Sequence, residues 1–153
     1  MIDSVEAFER LAAGSAAELT QLTALPAASP QVWWDVLARR PDLALWVAAN
    51  HTLPGEVAIH LARHDSVQVR ASLATGPCLN DATMLCLAHD KDEVVRLRVV
   101  CNAKASRDVL TALVADPCTV VSIHAQARLV HDISGVKLPA SYLEEVSVDD
   151  LRH

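Results

Sequence analysis

A sequence unit of about 26 residues recurs along the middle of this chain and constrains its fold more than any single motif. Leu-Ala or Leu-Val pairs begin at Leu61, Leu87 and Leu113, and an earlier pair begins 24 residues before the first of these, at Leu37. A fixed period of this length is typical of a solenoid, in which each structural unit packs only on its neighbours. Because solenoids present long continuous surfaces, the pattern favours a binding protein.

Each unit has the pattern of a helical stretch, a short polar link and a second helical stretch. In the second unit Pro54 suits an early helical position, where a missing N–H costs little, and residues 64–66 form the polar link. Val69 and Leu73 mark the buried side of the second helix, which ends around Gly76. The sequence therefore predicts an all-α fold built as a solenoid of helix pairs.

The repeats predict a single domain over residues 1–153 with distinct ends. Asp3 with Glu6, and Ser15 with Glu18, have the spacing of capping boxes, so two short helices are expected before the repeats. The expected boundaries are an N-terminal helical cap at 1–27, four repeats over 28–130 (28–50, 51–77, 78–103 and 104–130), and a C-terminal cap with a frayed tail at 131–153.

Two segments of the repeats carry a family resemblance. DSVQVRASLATGP (65–77) and DKDEVVRLRVVCN (90–102) each follow a Leu-Ala pair, and they resemble the leucine-rich-repeat variant and related HEAT-like repeat proteins of bacteria. The resemblance covers about 100 of the 153 residues and implies a right-handed α-solenoid of paired helices. Some members of that family hold an iron–sulfur centre on an N-terminal cysteine cluster. Because the first cysteine here is Cys78, the resemblance implies no such cofactor.

The composition predicts a cytoplasmic protein without a membrane span. Apolar residues make up 52% of the chain, yet the longest unbroken apolar run, 43–49, is far shorter than the ~20 residues of a spanning helix. The segment 1–10 is acidic and lacks the apolar core of a signal peptide. Four cysteines without close pairing in the sequence fit reduced thiols.

The net charge of −6 is carried by the two ends of the chain. Residues 1–25 and 131–153 each sum to −3, and the residues between them sum to zero. Nucleic-acid-binding proteins usually have a basic surplus for phosphate contacts, so nucleic acid is disfavoured as a partner.

Equivalent positions of the four second helices indicate which side is buried. Two sets are apolar throughout: Leu43, Val69, Val95 and Val121, and, one turn further on, Val47, Leu73, Val99 and Ala125. On a helical wheel Arg70 and Arg96 lie among the buried positions. Because buried charges are normally paired, we expect both guanidiniums to bind link carboxylates or helix-end carbonyls.

The opposite side of the second helices is variable and supplies the candidate partner-binding residues. One equivalent position holds Trp46, Ser72, Arg98 and His124, and a nearby one holds Asp42, Gln68, Val94 and Val120. Core packing requires no such mixture, so this side is either an ordinary solvated face or a ligand-facing surface. An outward Trp beside an Arg is typical of an interface hot spot. The selected partner-binding residues are Trp46, Gln68, Ser72, Arg98 and His124.

Two further tryptophans, Trp33 and Trp34, are adjacent and point about 100° apart on a helix. We expect one of them to pack under the N-terminal cap. The other either extends an aromatic patch with Trp46 or joins the core, and core packing is the default.

A metal site is conceivable at one boundary between repeats. His60 and His64 have the i, i+4 spacing that grips one ion, and the equivalent positions of the next repeat hold Cys86 and Asp90. Neighbouring helices lie about 8–10 Å apart, which makes the reach awkward. Semi-buried packing is the favoured interpretation, and we predict no metal and no other cofactor.

The sequence has no catalytic motif that we recognise. Its four glycines form neither a G-x-G-x-x-G nor a P-loop arrangement, and there is no G-x-S-x-G elbow. The sequence identifies no base that would activate a cysteine. We therefore expect a protein that is not an enzyme.

Together these patterns favour a non-enzymatic, protein-binding solenoid. Small bacterial proteins of this appearance resemble immunity proteins that bind and neutralise a toxin, and an acidic surface would suit the basic cleft of a nuclease toxin. One alternative is an adaptor or scaffold within a larger assembly. Another is a HEAT-like DNA-binding or repair protein, against which the net charge of −6 argues.

Overall fold

The computed structural model describes residues 1–27, 29–77 and 79–134, and its regular structure there is helical apart from one β-bridge between Ile2 and Ala27. The α-helices are α1 (Val5–Ala12), α2 (Ala16–Ala24), α3 (Pro30–Arg39), α4 (Ala44–Ala48), α5 (Gly55–Leu61), α6 (Val67–Ala74), α7 (Asp81–Ala88), α8 (Glu93–Cys101), α9 (Arg107–Ala112) and α10 (Thr119–Ser134). A 3₁₀ turn (Pro41–Leu43) precedes α4. The prediction of an all-α fold is confirmed.

The last described helix differs from its predicted bounds. α10 continues to Ser134, four residues beyond the predicted end of the fourth repeat, because the chain from Val130 to Ser134 contains neither Gly nor Pro to stop it. The rest of the predicted C-terminal cap, after residue 134, lies outside the described residues. Within the described residues, no helix has the length and apolarity needed to cross a bilayer.

The helices lie in two rows because alternate helices contact each other. The first-helix row is α3, α5, α7 and α9, and the second-helix row is α4, α6, α8 and α10, with contacts between each helix and the next in its row. α1 contacts α3 and α2 contacts α4, so the N-terminal pair precedes the two rows. Each predicted repeat contributes one helix to each row.

The predicted buried side of the second helices forms part of the core. All eight positions of the two apolar sets are buried: Leu43, Val69, Val95, Val121, Val47, Leu73, Val99 and Ala125. Burying a Val or Leu side chain contributes about 1.5–3 kcal/mol relative to leaving it exposed. Apolar side chains at the same positions of each second helix therefore give every unit a similar apolar surface to pack on its neighbours.

The N-terminal helices have caps that agree only partly with the sequence. Glu18 accepts a hydrogen bond from the backbone N–H of Ser15 at 2.7 Å, which confirms the capping box of α2. The predicted box of Asp3 with Glu6 is wrong. The N-cap of α1 is Ser4, one residue later, because its hydroxyl accepts the N–H of Ala7 at 3.1 Å, and Glu6 is ion-paired with another helix.

The N-terminal cap packs on the first repeat through an aromatic contact. Trp33 of α3 is 1% exposed, and its ring meets that of Phe8 of α1 edge to face, with centroids 5.9 Å apart. Such a pair contributes about 0.5–1.5 kcal/mol beyond the apolar area it buries. The prediction that one of the paired tryptophans packs under the N-terminal cap is confirmed.

A side chain at or near the end of three second helices donates to the last carbonyls of the second helix before it. We call this interaction the clamp. The amide of Asn102 donates to the carbonyl oxygens of Ala74 and Gly76 at 2.8 and 2.9 Å. Asn50 does the same at the end of α2, and Arg128 reaches the end of α8 from the equivalent position in α10. Because the last carbonyls of a helix lack partners within it, the clamp joins each unit that carries it to the unit before.

The second repeat lacks the clamp because Gly76 occupies the equivalent position. A small gap lies beside it, lined by Asn50, Leu53 and Leu79 among others. A Cβ atom at position 76 would meet the carbonyl oxygen of Leu73 at 3.0 Å and the Leu79 side chain at 3.5 Å. A Cβ atom therefore requires the Leu73 carbonyl to shift by a few tenths of an ångström.

We expect Gly76→Asn to restore the clamp by donating to the carbonyls at the end of α4, and Gly76→Ala to be the matched control. Both variants add the same Cβ contact and the same restriction of the unfolded chain. The Asn variant should be more stable than the Ala variant by about 1 kcal/mol, the net value of one or two hydrogen bonds. Urea unfolding measures the difference. Equal stability of the two variants would show that the clamp does not form.

One buried polar atom in the described residues has no hydrogen-bond partner, the hydroxyl of Thr83. Thr83 lies in α7 and is fully buried, and the equivalent positions in α5 and α9 hold Val57 and Val109, also fully buried. Threonine and valine have nearly the same shape, so the Thr83 hydroxyl takes the place that a methyl group of Val57 or Val109 takes in the other two helices.

Replacement of this hydroxyl should stabilise the protein. We expect Thr83→Val to raise the free energy of unfolding by about 1–3 kcal/mol, because an unsatisfied buried hydroxyl carries a desolvation cost of that size. The reverse exchange at the equivalent position, Val109→Thr, should destabilise the protein by a comparable amount. Thermal and urea unfolding of both variants test this. A stability loss in Thr83→Val would mean that the hydroxyl is satisfied in solution.

Candidate protein-binding face and the charges beside it

Two buried ion pairs join consecutive repeats. Arg70 binds both carboxylate oxygens of Asp90 at 2.6 and 3.0 Å, and Arg96 binds those of Asp116 at 2.7 and 3.0 Å. These four side chains are at most 10% exposed. In each pair the arginine belongs to the second helix of one repeat and the carboxylate to the link of the next repeat, 20 residues later. Of the two predicted kinds of partner, link carboxylates or helix-end carbonyls, both arginines bind link carboxylates.

The same arginines also hold the links of their own repeats. Arg70 donates through Nη1 to the carbonyl oxygens of His64 and Asp65 at 2.6 and 2.9 Å, and Arg96 donates to that of Asp90 at 2.8 Å. Each guanidinium thus donates hydrogen bonds to two adjacent repeats. Hydrogen-bonded pairing of this kind is what makes a buried charge tolerable.

Each carboxylate also accepts a backbone N–H within its own link. Asp90 accepts the backbone N–H of Asp92 at 2.9 Å, and Asp116 accepts that of Cys118 at 2.8 Å. In the second repeat His64 occupies this position and accepts the N–H of Ser66 through Nδ1 at 3.1 Å. The preceding repeat has Ala44 in place of the arginine. A carboxylate therefore occupies the links of the third and fourth repeats, each of which binds an arginine of the repeat before it. The link of the second repeat binds no such arginine and has a histidine instead.

The electrostatics of the pairs follow from this geometry. The hydrogen bonds that Arg70 and Arg96 donate to Asp90 and Asp116 raise the pKa values of the two arginines, against the opposing effect of burial. Burial alone raises the pKa of Asp116, but the hydrogen bonds from Arg96 and from the Cys118 N–H outweigh it and hold that pKa below its ordinary value. Both partners of the Arg96–Asp116 pair are therefore charged at neutral pH.

The pair Arg96–Asp116 should make stability depend on pH in a defined direction. Since the pKa of Asp116 is lower in the folded than in the unfolded protein, its contribution is complete above the unfolded value of about 3.9 and is lost as the pH falls through the folded value. We expect Asp116→Asn to destabilise the protein by about 3 kcal/mol at pH 7, because a buried charge loses its partner. The loss should shrink below about pH 4.

Urea unfolding of wild type and variant between pH 7 and pH 3 tests this prediction. Asp108→Asn is the control, because Asp108 is an exposed acid on α9, and its substitution should leave stability nearly unchanged at every pH. A constant difference between wild type and Asp116→Asn over this range would contradict the electrostatic assignment.

The candidate partner-binding residues are distributed along the second-helix row. α4 carries Trp46, α6 carries Gln68 and Ser72, α8 carries Arg98, and α10 carries His124. Gln68 and Arg98 are exposed, and the other three are half-buried. Trp46 also packs against the core with part of its surface, and His124 bonds the Val120 carbonyl through Nδ1 at 2.7 Å. We call the surface carrying these five residues the variable face.

Two exposed apolar side chains lie next to the selected residues. Leu45 precedes Trp46 and is 40% exposed, and Ile123 precedes His124 and is 52% exposed. They occupy the same repeat position, at which Ala71 is half-buried in the second repeat and Leu97 is buried in the third. A position that is apolar in every repeat is typical of the core, so the sequence pattern does not mark Leu45 and Ile123 as exposed. Their exposure is a signal that only the structure supplies.

The second of the paired tryptophans does not lie in the second-helix row. Trp34 belongs to α3 and is half-buried, and its ring meets that of His60 of α5 with centroids 5.1 Å apart. The described ring contact joins two helices of the first-helix row, whereas Trp46 lies on α4. Trp34 therefore stabilises the packing of the first repeat on the second.

The residues considered for a metal have other partners. The His60 ring meets the Trp34 ring edge to face, His64 accepts the Ser66 N–H, and Asp90 accepts hydrogen bonds from Arg70. Across residues 1–27, 29–77 and 79–134, no group of three His, Cys, Asp or Glu side chains is placed to hold a metal ion. The repeat geometry uses these side chains for packing and link hydrogen bonds.

Three of the four acidic residues of the N-terminal cap bind other residues of the chain. Glu6 pairs with Arg39 at 2.9 Å, and Glu9 pairs with Arg40 at 2.7 Å. Glu18 serves the capping box of α2. The −3 charge of residues 1–25 therefore contributes to docking the cap on the first repeat, in addition to any effect on solubility or partners.

Comparison of the chain with protein-family models, with curated proteins and with solved structures finds no match in any of the three. Its function must therefore be argued from its own residues and their arrangement.

Proposed function

We propose that this protein is a non-enzymatic binding scaffold and that its variable face recognises a protein partner. The observation that carries this proposal is the composition of that face. Half-buried Trp46 and exposed Arg98 lie on helices of the second-helix row, and the exposed apolar residues Leu45 and Ile123 adjoin the selected positions at its two ends. Exposed apolar side chains beside Trp and Arg are typical of protein interfaces.

We propose further that the fold is a right-handed α-solenoid of HEAT-like repeats, similar to the leucine-rich-repeat variant. The two rows of helices support it, since each helix contacts the next in its row. The clamps and the Arg–Asp pairs also support it, since each joins a repeat to its neighbour. Interactions between neighbours dominate in solenoids and leave one face of each row to partners.

The specific role that we propose is that of an immunity protein, which acts in the cytoplasm and neutralises a bacterial toxin by binding it. This rests on the family resemblance of the repeats and on the net charge of −6, which suits a basic partner such as a nuclease. A constitutive adaptor would use the same face, and the identity of the bound protein separates the two roles.

The double variant Trp46→Ala/Arg98→Ala tests the variable face. We expect it to weaken binding of the physiological partner by at least about tenfold, which corresponds to ~1.4 kcal/mol, because hot-spot Trp and Arg side chains contribute this much or more. The partner is captured from native cytosol on the tagged wild-type protein and then purified. Its affinity for both forms is measured by calorimetry.

The matched control is Trp34→Ala/Arg107→Ala, which removes the same two residue types from the first-helix row. Trp34 is half-buried like Trp46, and Arg107 is exposed like Arg98. The control should bind as wild type does, and thermal unfolding establishes that both variants are folded. Equal binding by all three forms would refute the assignment of the face. A partner without toxicity when expressed alone would refute the immunity role and favour the adaptor.

A further inference from the structure

An open cleft of about 280 Å³ lies between the link of the second repeat and the link of the third. The Arg70–Asp90 pair lies in its wall, and four of the five guanidinium N–H groups donate to acceptors within the protein. The pair therefore contributes no net charge to the cleft.

Two cations that line the cleft are not neutralised. Arg63 and Lys91 are exposed, and neither forms an ion pair within the described residues. His64 also lines the cleft, and because its Nδ1 accepts the Ser66 N–H, its ring proton is on Nε2, which is a donor. With Asp65 as the remaining acid, the lining has a net charge of +1 when both histidines are neutral.

The neighbouring boundaries differ in this respect. One repeat earlier, the positions of Arg63 and Lys91 hold Arg39, which is paired with Glu6 at 2.9 Å, and the acid Asp65. One repeat later, the positions of Arg63 and Lys91 hold His89 and Pro117. In a chain of net charge −6, the boundary between the second and third repeats thus combines a cleft with two unneutralised cations.

We propose that this cleft binds a phosphate-sized oxyanion, either free phosphate or the phosphoryl group of a small phosphomonoester. The cleft is smaller than the ~300–1,000 Å³ of sites for drug-sized ligands and has room for a group of this size. A guanidinium, an ammonium and an imidazole N–H suit an anion with several acceptor oxygens. Because the cleft is open to solvent and salt, the dissociation constant expected for phosphate is on the order of millimolar.

The test is a titration with sodium phosphate, compared with sodium chloride at equal ionic strength and pH 7, followed through the backbone amide signals of residues 62–65 and 86–91. We expect saturable shifts with phosphate and none with chloride. A parallel titration with glycerol phosphate distinguishes the sources. Equal affinity indicates recognition of the phosphoryl group, and binding of phosphate alone indicates a free-anion site. Shifts that do not saturate, or that chloride reproduces, would overturn the proposal.

The variant Arg63→Ala/Lys91→Ala should raise the dissociation constant at least about tenfold, since it removes both unneutralised charges. Its control is Lys104→Ala/Arg107→Ala, which removes one lysine and one arginine from exposed positions outside the cleft. The control should bind phosphate as wild type does. A second readout is the alkylation rate of Cys86, which lines the cleft and should be protected by phosphate in wild type and control only. Equal affinity in all three forms would refute the site.

Discussion

The bidentate pairing of an arginine in one repeat with an aspartate in the next is the interaction on which the arrangement of the repeats most depends. Arg70 and Arg96 are buried beside the helices of the second-helix row, where an unpaired charge would cost several kcal/mol. Each is tolerable only if the following link brings its carboxylate within about 3 Å. The pairs therefore specify the register between repeats, in addition to any net stability they contribute.

The Asn clamp adds a second constraint of the same kind. It acts at the ends of the second helices, where carbonyls lack partners within the helix, and it again reaches from one repeat to its neighbour. Gly76 occupies the clamp position of the second repeat, and Ala44 occupies the arginine position of the first, so each interaction is missing there. Both omissions fall in the first half of the repeats, so the junctions between repeats are chemically unequal although the helices repeat.

Function in such a fold depends on positions that the core leaves free. The buried sides of the second helices hold nearly constant residues, whereas the variable face and the cleft between the links differ from repeat to repeat. The variable face combines aromatic, apolar and basic side chains, which suits a protein surface, and the cleft combines small volume with two unneutralised cations, which suits a small anion. These are separate regions, one on the second-helix row and one at the links, so each proposal can fail without the other.

Much of the fold was predictable because it depends on local periodicity. The 26-residue spacing and the apolar sets through Val69 and Leu73 identify the helices and their buried sides, since a helix repeats its faces every 3.6 residues whatever surrounds it. The burial of Arg70 and Arg96 also followed from the wheel. The N-cap at Ser4 could not be predicted in this way, because the choice between the adjacent residues Asp3 and Ser4 depends on the ion pair that Glu6 forms with Arg39.

The sequence by itself thus determined the helix pairs, the core positions and the need to pair two buried arginines. Only the tertiary structure decided which aspartates meet them, that Trp34 packs on His60, that Leu45 and Ile123 are exposed, and that Arg63 and Lys91 line one cleft. The physical reason is distance along the chain. Periodicity reports which side of its own helix a residue occupies, but contacts between residues 20 or more positions apart depend on how the helices pack.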